Sequence, residues 1–350
     1  MTGREYADRR NAPALRAKAH RAEFYDRAWR EAAEALGAEA RVVGREILEI
    51  TLGDRRTRVL NSMTTADDPV TLRLVNDKTT VHRLFSTYGL PVPDHVEFTL
   101  KSLEHAERFM ERVGELVVVK AARATGAGQG VTTGIRTRSQ LKNAALHAAV
   151  YSTELLIERE VPGRVYRLLF AGGNLIDTVV RNRPTVVGNG RSTVRELVSE
   201  ENDSRLRQGE GAQALLHIDL DMKVTLARQA LSMRFIPPDG AEVVVKSVTN
   251  DNAPRDNESA NNVLCEPIID ACRQAIDAIG IRLAGVDVVT ADPSKPLHET
   301  GGVILEINAS PGYHYHYYRR DVGAAVAVPI LAMLLGVDRE TAAPLASWAK

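Results

Sequence analysis

The chain has 350 residues, with 45 Lys and Arg against 45 Asp and Glu, so its formal net charge is zero. Apolar residues make up 44% and charged residues 26%, the balance of a soluble globular protein with room for two or three modules. The charge balance argues against a dedicated nucleic-acid surface, and no window approaches the ~18 uncharged apolar residues of a membrane span.

Met1–Tyr6 lacks an apolar signal core, and Cys265 and Cys272 are the only cysteines. Both observations point to a cytoplasmic, disulfide-free protein. On one helix the two cysteines would be about 10 Å apart, too far to bridge; if Cys265 precedes the helix, their distance is open.

Residues 1–37 read as a polar start and then a helix, with Leu15, Phe24, Ala28, Ala32 and Leu36 on one stripe and Gly37 as its stop. Arg9, Arg10, Arg16, Arg21, Arg27 and Arg30 make it basic, as a solvated face or as a surface for an anionic partner. Short strands follow at 40–43, 46–50 and 57–60, with Gly53-Asp54 as the last turn. Asn76 or Asp77 caps a helix whose apolar face is Val81, Leu84, Phe85 and Tyr88. Lys78 sits in its first turn, a poor place for a cation unless an anion is near.

After a helix at about 101–113, the strand Leu116-Val117-Val118-Val119-Lys120 is apolar until its terminal lysine. It runs into a loop with Gly126, Gly128 and Gly130 at alternate positions, whose backbone can fold over phosphates. No Gly-Lys-Ser/Thr follows, so this is not a Walker loop, and the spacing is wrong for a dinucleotide fingerprint.

A helix near 138–150, a strand at 154–161 ending at Pro162-Gly163, and a hairpin at 165–180 come next. Thr193 and Glu196 form a capping box for a helix around 194–201. Residues 204–262 are mostly polar, with one strand at 241–246. The stretch 249–262 is either an ordinary surface loop or a substrate-side one. Pro267 opens a helix with Ile268, Cys272, Ile276 and Ile279 inward and Gly280 at its end. An apolar helix at about 321–336 closes the core.

Two late strands carry the hard-oxygen groups. Leu283–Thr290 holds one acid, Asp287, among apolar residues, where it needs a partner or a metal. Val303–Ala309 holds Glu306 and Asn308, two apart and so on one side of the strand. Such oxygens suit Mg2+ that also keeps phosphate oxygens as ligands. Two lysines, a glycine loop and this trio can hold a nucleoside triphosphate with its metal. Arg167, alternating with apolar neighbours, can steady a transferring phosphate. No Ser/His/Asp or Cys/His arrangement stands out.

From Asn76-Asp77-Lys78 through Lys120, Gly126–Val131, Ile157-Glu158-Arg159, Tyr166-Arg167 and Val187–Val198 to Asp287 and Glu306–Gly312, the set resembles the ATP-grasp family of carboxylate–amine ligases. Within it, the chain resembles the ATP-grasp part of cyanophycin synthetases and bifunctional glutathione synthetases over about residues 74–336. The resemblance implies an α+β fold with two α+β subdomains clasping ATP, preceded by a small N-terminal α/β domain. It sets residues 1–75 apart from an ATP-grasp region at 76–350, with subdomains at about 115–162 and 163–340.

The resemblance further implies that Lys78 and Lys120 contact ATP, that Gly126, Gly128, Gln129 and Gly130 close over its phosphates, and that Glu158, Arg159 and Val161 line the adenine pocket. Asp287, Glu306 and Asn308 would bind two Mg2+ ions, with Mn2+ as an alternative. Arg167 and Arg228 would lie near the transferring groups. The implied chemistry activates a carboxylate as an acyl phosphate, which an amine attacks to give an amide, ADP and phosphate. An amino acid or short peptide is the expected substrate, in secondary metabolism. A homo-oligomer is expected by analogy.

Two of the chain's departures from the family pattern fall at the site. Val165 stands where relatives carry an acid for the ribose, with Glu160 as a substitute. Tyr313–Tyr318 alternates His and Tyr where relatives carry an arginine that holds a substrate carboxylate. Lys246, His314 and His316 are therefore substrate-side candidates. The same residues also fit an ATP-dependent kinase or a nucleotide-binding regulatory protein.

Overall fold

The computed structural model describes residues 3–123, 128–208, 214–253 and 256–337; the side chains of residues 3–11 and 208 also lie outside this description. Gly126 of the glycine loop, the side chains of Arg9 and Arg10, and positions 338–350 are therefore outside the described residues.

The chain opens with α1 (Gly3–Ala35), then β1 (Glu39–Gly44), β2 (Ile47–Leu52) and β3 (Arg55–Val59), an antiparallel meander. Gly37, at φ 68°, ends the helix as expected. Next come α2 (Pro69–Val75), α3 (Lys78–Thr87), β4 (His95–Phe98) and α4 (Leu103–Val113). Asp77 caps α3 by accepting from Thr80 N at 3.0 Å. β5 (Val117–Ala121), β6 (Thr132–Ile135), α5 (Arg138–Ala149) and β7 (Leu155–Arg159) complete a four-stranded sheet of order β4-β7-β5-β6. α4 and α5 cover one face of it, with Phe109, Val119, Leu141 and Ile157 in the core.

β8 (Arg164–Ala171) and β9 (Asn174–Arg181) form the expected hairpin. β10 (Thr185–Val187), α6 (Val194–Gln208), α7 (Leu220–Arg228) and β11 (Glu242–Val244) make a small unit with its own apolar core of Val194, Leu197, Met222 and Leu226. The capping box is present: Thr193 N donates to Glu196 Oε2 at 2.7 Å, and Glu196 N to Thr193 Oγ1 at 3.3 Å. α7 was not visible in the polar stretch 204–262, because its apolar face is only Met222 and Leu226 with Thr225. The strand expected at 241–246 is shorter.

β12 (Asn257–Ser259), α8 (Glu266–Ile279), β13 (Leu283–Thr290), α9 (Leu297–Thr300), β14 (Val303–Ala309), α10 (His314–Tyr317) and α11 (Ala327–Leu335) follow. Cys265 is the N-cap of α8 and Cys272 is buried within it; both are free. The final helix starts at Ala327 rather than 321, since Asp321 and Gly323 precede the apolar run.

The five-stranded antiparallel sheet β12-β9-β8-β13-β14 organises the rest. One face packs Leu168, Phe170, Val286 and Val288 against α8 and α3. The other face is divided. Leu169, Ala171 and Leu283 lie under α1, α10 and α11, in one apolar cluster with Phe24, Trp29, Tyr313 and Tyr317. The remaining half of that face is polar, and it faces the glycine loop.

Candidate active site

Sheet register assembles the polar half. Asp287 lies opposite Arg167 on β8 and opposite Glu306 on β14, so the three side chains form one cross-strand row. Asn308, two residues beyond Glu306, returns to the same face opposite Gly285. Arg167 and Asp287 are buried, and Nε and Nη2 of the arginine donate to the two carboxylate oxygens, Nη2 at 2.6 Å. Burial works against the guanidinium charge, but Asp287 outweighs it and raises the Arg167 pKa. For Glu306, burial would raise the pKa; Lys78, Lys120 and Arg167 overcome it and hold the carboxyl below its ordinary value.

A second buried cluster comes from the four-stranded sheet. Lys120, at the end of β5, pairs with Glu158 of β7 at 2.6 Å. His82, one turn after Lys78 on α3, places Nδ1 3.7 Å from the same glutamate oxygen and Nε2 3.4 Å from Leu305 O. Its ring packs edge-on against His95, with centroids 4.9 Å apart. Burial pushes the His82 pKa down to about 4, so the ring is neutral at pH 7. His82 was missed in the sequence, although its i+4 spacing from Lys78 puts both on one helix face.

One cleft joins the clusters: Lys78, Lys120, Gly128, Gln129, Glu306 and Asn308 all line it. Gly128 has φ 71°, and a Cβ there would sit 2.7 Å from Asn250 Nδ2, so the loop approaches Asn250 as closely as glycine allows. Asn250 also lines the cleft, and its Oδ1 accepts from Arg181 Nη1 at 3.2 Å. Arg181 is buried at the end of β9, donates through Nη2 to Thr249 O at 2.9 Å, and lies over the Tyr315 ring at 4.9 Å. Tyr315 in turn places its hydroxyl 3.5 Å from Arg167 Nη1. Arg181 was not singled out in the sequence; its signal was the alternation Asp177, Val179, Arg181 on one side of β9.

Other candidates sit apart from that cleft. Arg228 pairs with Glu160 at 3.2 Å, and Glu160 also accepts from Gly134 N at 2.6 Å, so neither is beside Arg167. Arg159 reaches Glu115 only at 3.9 Å, and Val161 follows β7 half-buried. Lys246 is buried between Asp219 at 2.6 Å and Asp251 at 2.7 Å. His314 lies against Tyr315 and Phe24, and burial keeps its pKa well below normal. His316 is held by Asp177 at 2.7 Å.

The donor set fits a hard divalent cation. Two carboxylates and an amide oxygen share one face, and Mg2+ commonly completes its shell with phosphate oxygens and water. Among the described residues no group of three His, Cys, Asp or Glu could hold a metal alone. Among the described residues no helix is long and apolar enough to cross a membrane.

No protein-family model matches the chain. It is 28% identical over 335 residues to the cyanophycin synthetase of Trichormus variabilis, covering 91% of this chain and 37% of that protein. It is 26% identical over 281 residues to the bifunctional glutathione biosynthesis protein of Streptococcus thermophilus, covering 78% of this chain and 37% of that one. The chain thus spans well under half the length of these relatives. Its structure matches that of a bifunctional glutathione synthetase from Pasteurella multocida with a TM-score of 0.54 and 22% identity, over 87% of this chain and 43% of that chain.

Proposed function

We propose, from the premise that this chain has the ATP-grasp fold, that it is an ATP-dependent carboxylate–amine ligase. The observation that carries the reading is the single cleft in which Lys78, Lys120, Gly128, Glu306 and Asn308 meet, directly beside the Arg167–Asp287 pair. Cations and hard oxygens lie on one side of it, and a glycine loop on the other. The likeness to cyanophycin and glutathione synthetases supports amide-bond formation over other uses of such a site.

In this reading Lys120 and Glu158 read the base side of ATP, with neutral His82 packed beneath them. Lys78 and the amides around Gly128 and Gly130 hold the phosphates. Asp287, Glu306 and Asn308 would hold Mg2+, two ions by analogy, which would supply positive charge against the transferring phosphoryl group. Arg167 and Arg181 face the carboxylate that attacks the γ-phosphorus, and they stabilise the acyl phosphate that results. An amine then attacks the acyl carbon, and phosphate leaves. The small unit of β10–β11, α6 and α7 approaches β6 through Asp221, which accepts from Thr133 N and Oγ1. An amino acid or short peptide is the proposed substrate class.

The test is ATP turnover with Mg2+ against pools of amino acids, dipeptides and amino-carboxylates, with mass detection of products. A ligase releases phosphate and yields a mass equal to two substrates minus water. A phosphorylated substrate without that mass makes the chain a kinase. ATP binding without turnover in any pool contradicts the enzymatic reading.

A further inference from the structure

The loop after β11 brings into the cleft an amide that the chemistry above does not use. Residues 249–252 form a tight turn, closed by Asn252 N donating to Thr249 O at 3.2 Å. Thr249, Asp251 and Asn252 are buried and tied down. Thr249 O accepts from Arg181 Nη2 at 2.9 Å, and Asp251 Oδ2 accepts from Lys246 Nζ at 2.7 Å. Arg205 Nη1 holds the Asp251 backbone oxygen at 2.8 Å, and Asn252 Nδ2 donates to Asn257 Oδ1 at 2.9 Å. Asn250 is the half-buried member of the turn, and it lines the cleft with Lys78, Gly128, Glu306 and Asn308. An ordinary surface turn leaves its polar side chains in water. This one fixes its neighbours inside the protein and presents Asn250 to the cleft.

Arg181 decides which end of that amide meets a ligand. A guanidinium only donates, so the atom it faces at 3.2 Å is the amide oxygen. The amide nitrogen is the other end. It lies against Gly128 of the glycine loop, 2.7 Å from where a Cβ would stand. Arg181 is held in turn by Thr249 O and by the Tyr315 ring, whose hydroxyl is 3.5 Å from Arg167 Nη1. Arg167 grips Asp287. These contacts put Asn250 towards the hard-oxygen end of the cleft, away from the end where Lys120, Glu158 and His82 meet.

We propose that Asn250 contacts the transferring phosphoryl group, with Arg181 as its positioning residue. Nδ2 donates to an oxygen of the γ-phosphate of ATP and keeps that bond in the acyl phosphate. This rests on the ligase reading and adds a ligand-touching residue to it. In the step itself a carboxylate oxygen forms a bond to the γ-phosphorus. The bond from that phosphorus to the β,γ-bridging oxygen breaks, ADP leaves with the electron pair, and no proton has to move. The donor is oriented before the nucleotide arrives, so it meets the charge on the transferring oxygens without reorganisation. Because Asn250 opens onto the cleft, water serves the same N–H until nucleotide displaces it.

Nucleotide binding provides the test, because it needs neither a carboxylate nor turnover. Calorimetry of the purified full chain with Mg2+ compares ADP with the β,γ-imido analogue of ATP, which carries the γ-phosphate that ADP lacks. Asn250→Asp keeps the oxygen that Arg181 holds and the bulk that packs on Gly128, but removes the N–H. Asn250→Ala removes the amide without adding charge. In both variants the analogue binds about tenfold or more weakly, while ADP binds within about twofold of wild type. With any carboxylate that the wild type activates, kcat falls about 100-fold. Arg181→Lys keeps the cation but loses the fixed fork. It weakens the analogue selectively, and adding Asn250→Ala costs little more, since the amide is no longer aimed.

Equal weakening of ADP and the analogue overturns the proposal and leaves Asn250 as a brace for the glycine loop. Wild-type affinity and turnover in Asn250→Ala overturn it as well. Losses that simply multiply in the double variant remove Arg181 from its positioning role. Absence of a condensed product from the wild type in every pool overturns the ligase reading alone, and the two binding ratios then still decide whether Asn250 meets the γ-phosphate.

Discussion

Arg167 and Asp287 stand directly opposite each other on β8 and β13, and the guanidinium grips both carboxylate oxygens below the surface of the sheet. The pair is placed one strand from Glu306, so it balances charge inside the site as well as holding β8 to β13. Asp287 therefore holds β8 to β13, and in the proposed reading it also helps hold the metal.

Removing one member of a buried pair strands the other charge. Asp287→Asn is expected to cost about 3–5 kcal/mol of unfolding free energy, measured by urea titration. Replacing both residues with apolar ones of similar volume recovers most of that loss. Neither variant turns over ATP. A variant that loses turnover with unchanged stability would remove the structural role from the pair.

His82 gives a pH signature. Its folded pKa is depressed from 6.5 to about 4, so between those values the unfolded chain binds the proton more readily. Its contribution is therefore intact above pH 6.5 and is lost as pH falls towards 4, by about 1.4 kcal/mol per pH unit. His82→Gln flattens the dependence of the urea midpoint across that window. An identical slope in the variant would show that the ring titrates normally.

Gly128→Ala forces a side chain into a left-handed backbone position and against Asn250. We expect about a tenfold loss in kcat/KM for ATP, from a cost of 1–2 kcal/mol localised to the loop. The melting temperature should barely change, since the loop lies outside the apolar cores. A large drop in melting temperature would mean the loop supports the fold rather than the nucleotide.

Lys246 neutralises Asp219 and Asp251 where the β10–β11 unit meets the loop after β11. Lys246→Met leaves two acids facing each other in a buried setting. The unit comprising α6 and α7 should then open first on heating, read by increased proteolysis between residues 185 and 246. Adding Asp251→Asn restores part of the resistance. No change in the cleavage pattern would show that the network is dispensable.

The sequence was most legible where chemistry and periodicity coincide. The apolar strands ending in Lys120 or carrying Asp287, Glu306 and Asn308 are read from burial alternation and misplaced charge, and each lies where that logic put it. The cleft was legible as a set of landmarks because each is a charged or hard-oxygen side chain beside an apolar run or a glycine in a loop. Arg181 and Asp177 were not, since their proximity comes from sheet register; Asn250 belongs to the stretch 249–262, expected as a surface or a substrate-side loop, and it lines the cleft. α7 and β12 were also missed: β12 is three polar residues, and α7 is a nine-residue helix inside a mostly polar stretch. Gly126 belongs to the expected loop but lies outside the described residues.

Isotope transfer is the measurement that bears most directly on the account. A carboxylate substrate identified in the pools is labelled with oxygen-18 in both carboxyl oxygens and turned over with ATP, Mg2+ and the amine. An acyl-phosphate ligase delivers one labelled oxygen to each phosphate released, and the amide retains the other. Phosphate released without label would mean that the carboxylate never attacked ATP, and the ligase reading of the Lys78–Glu306 cleft would be wrong.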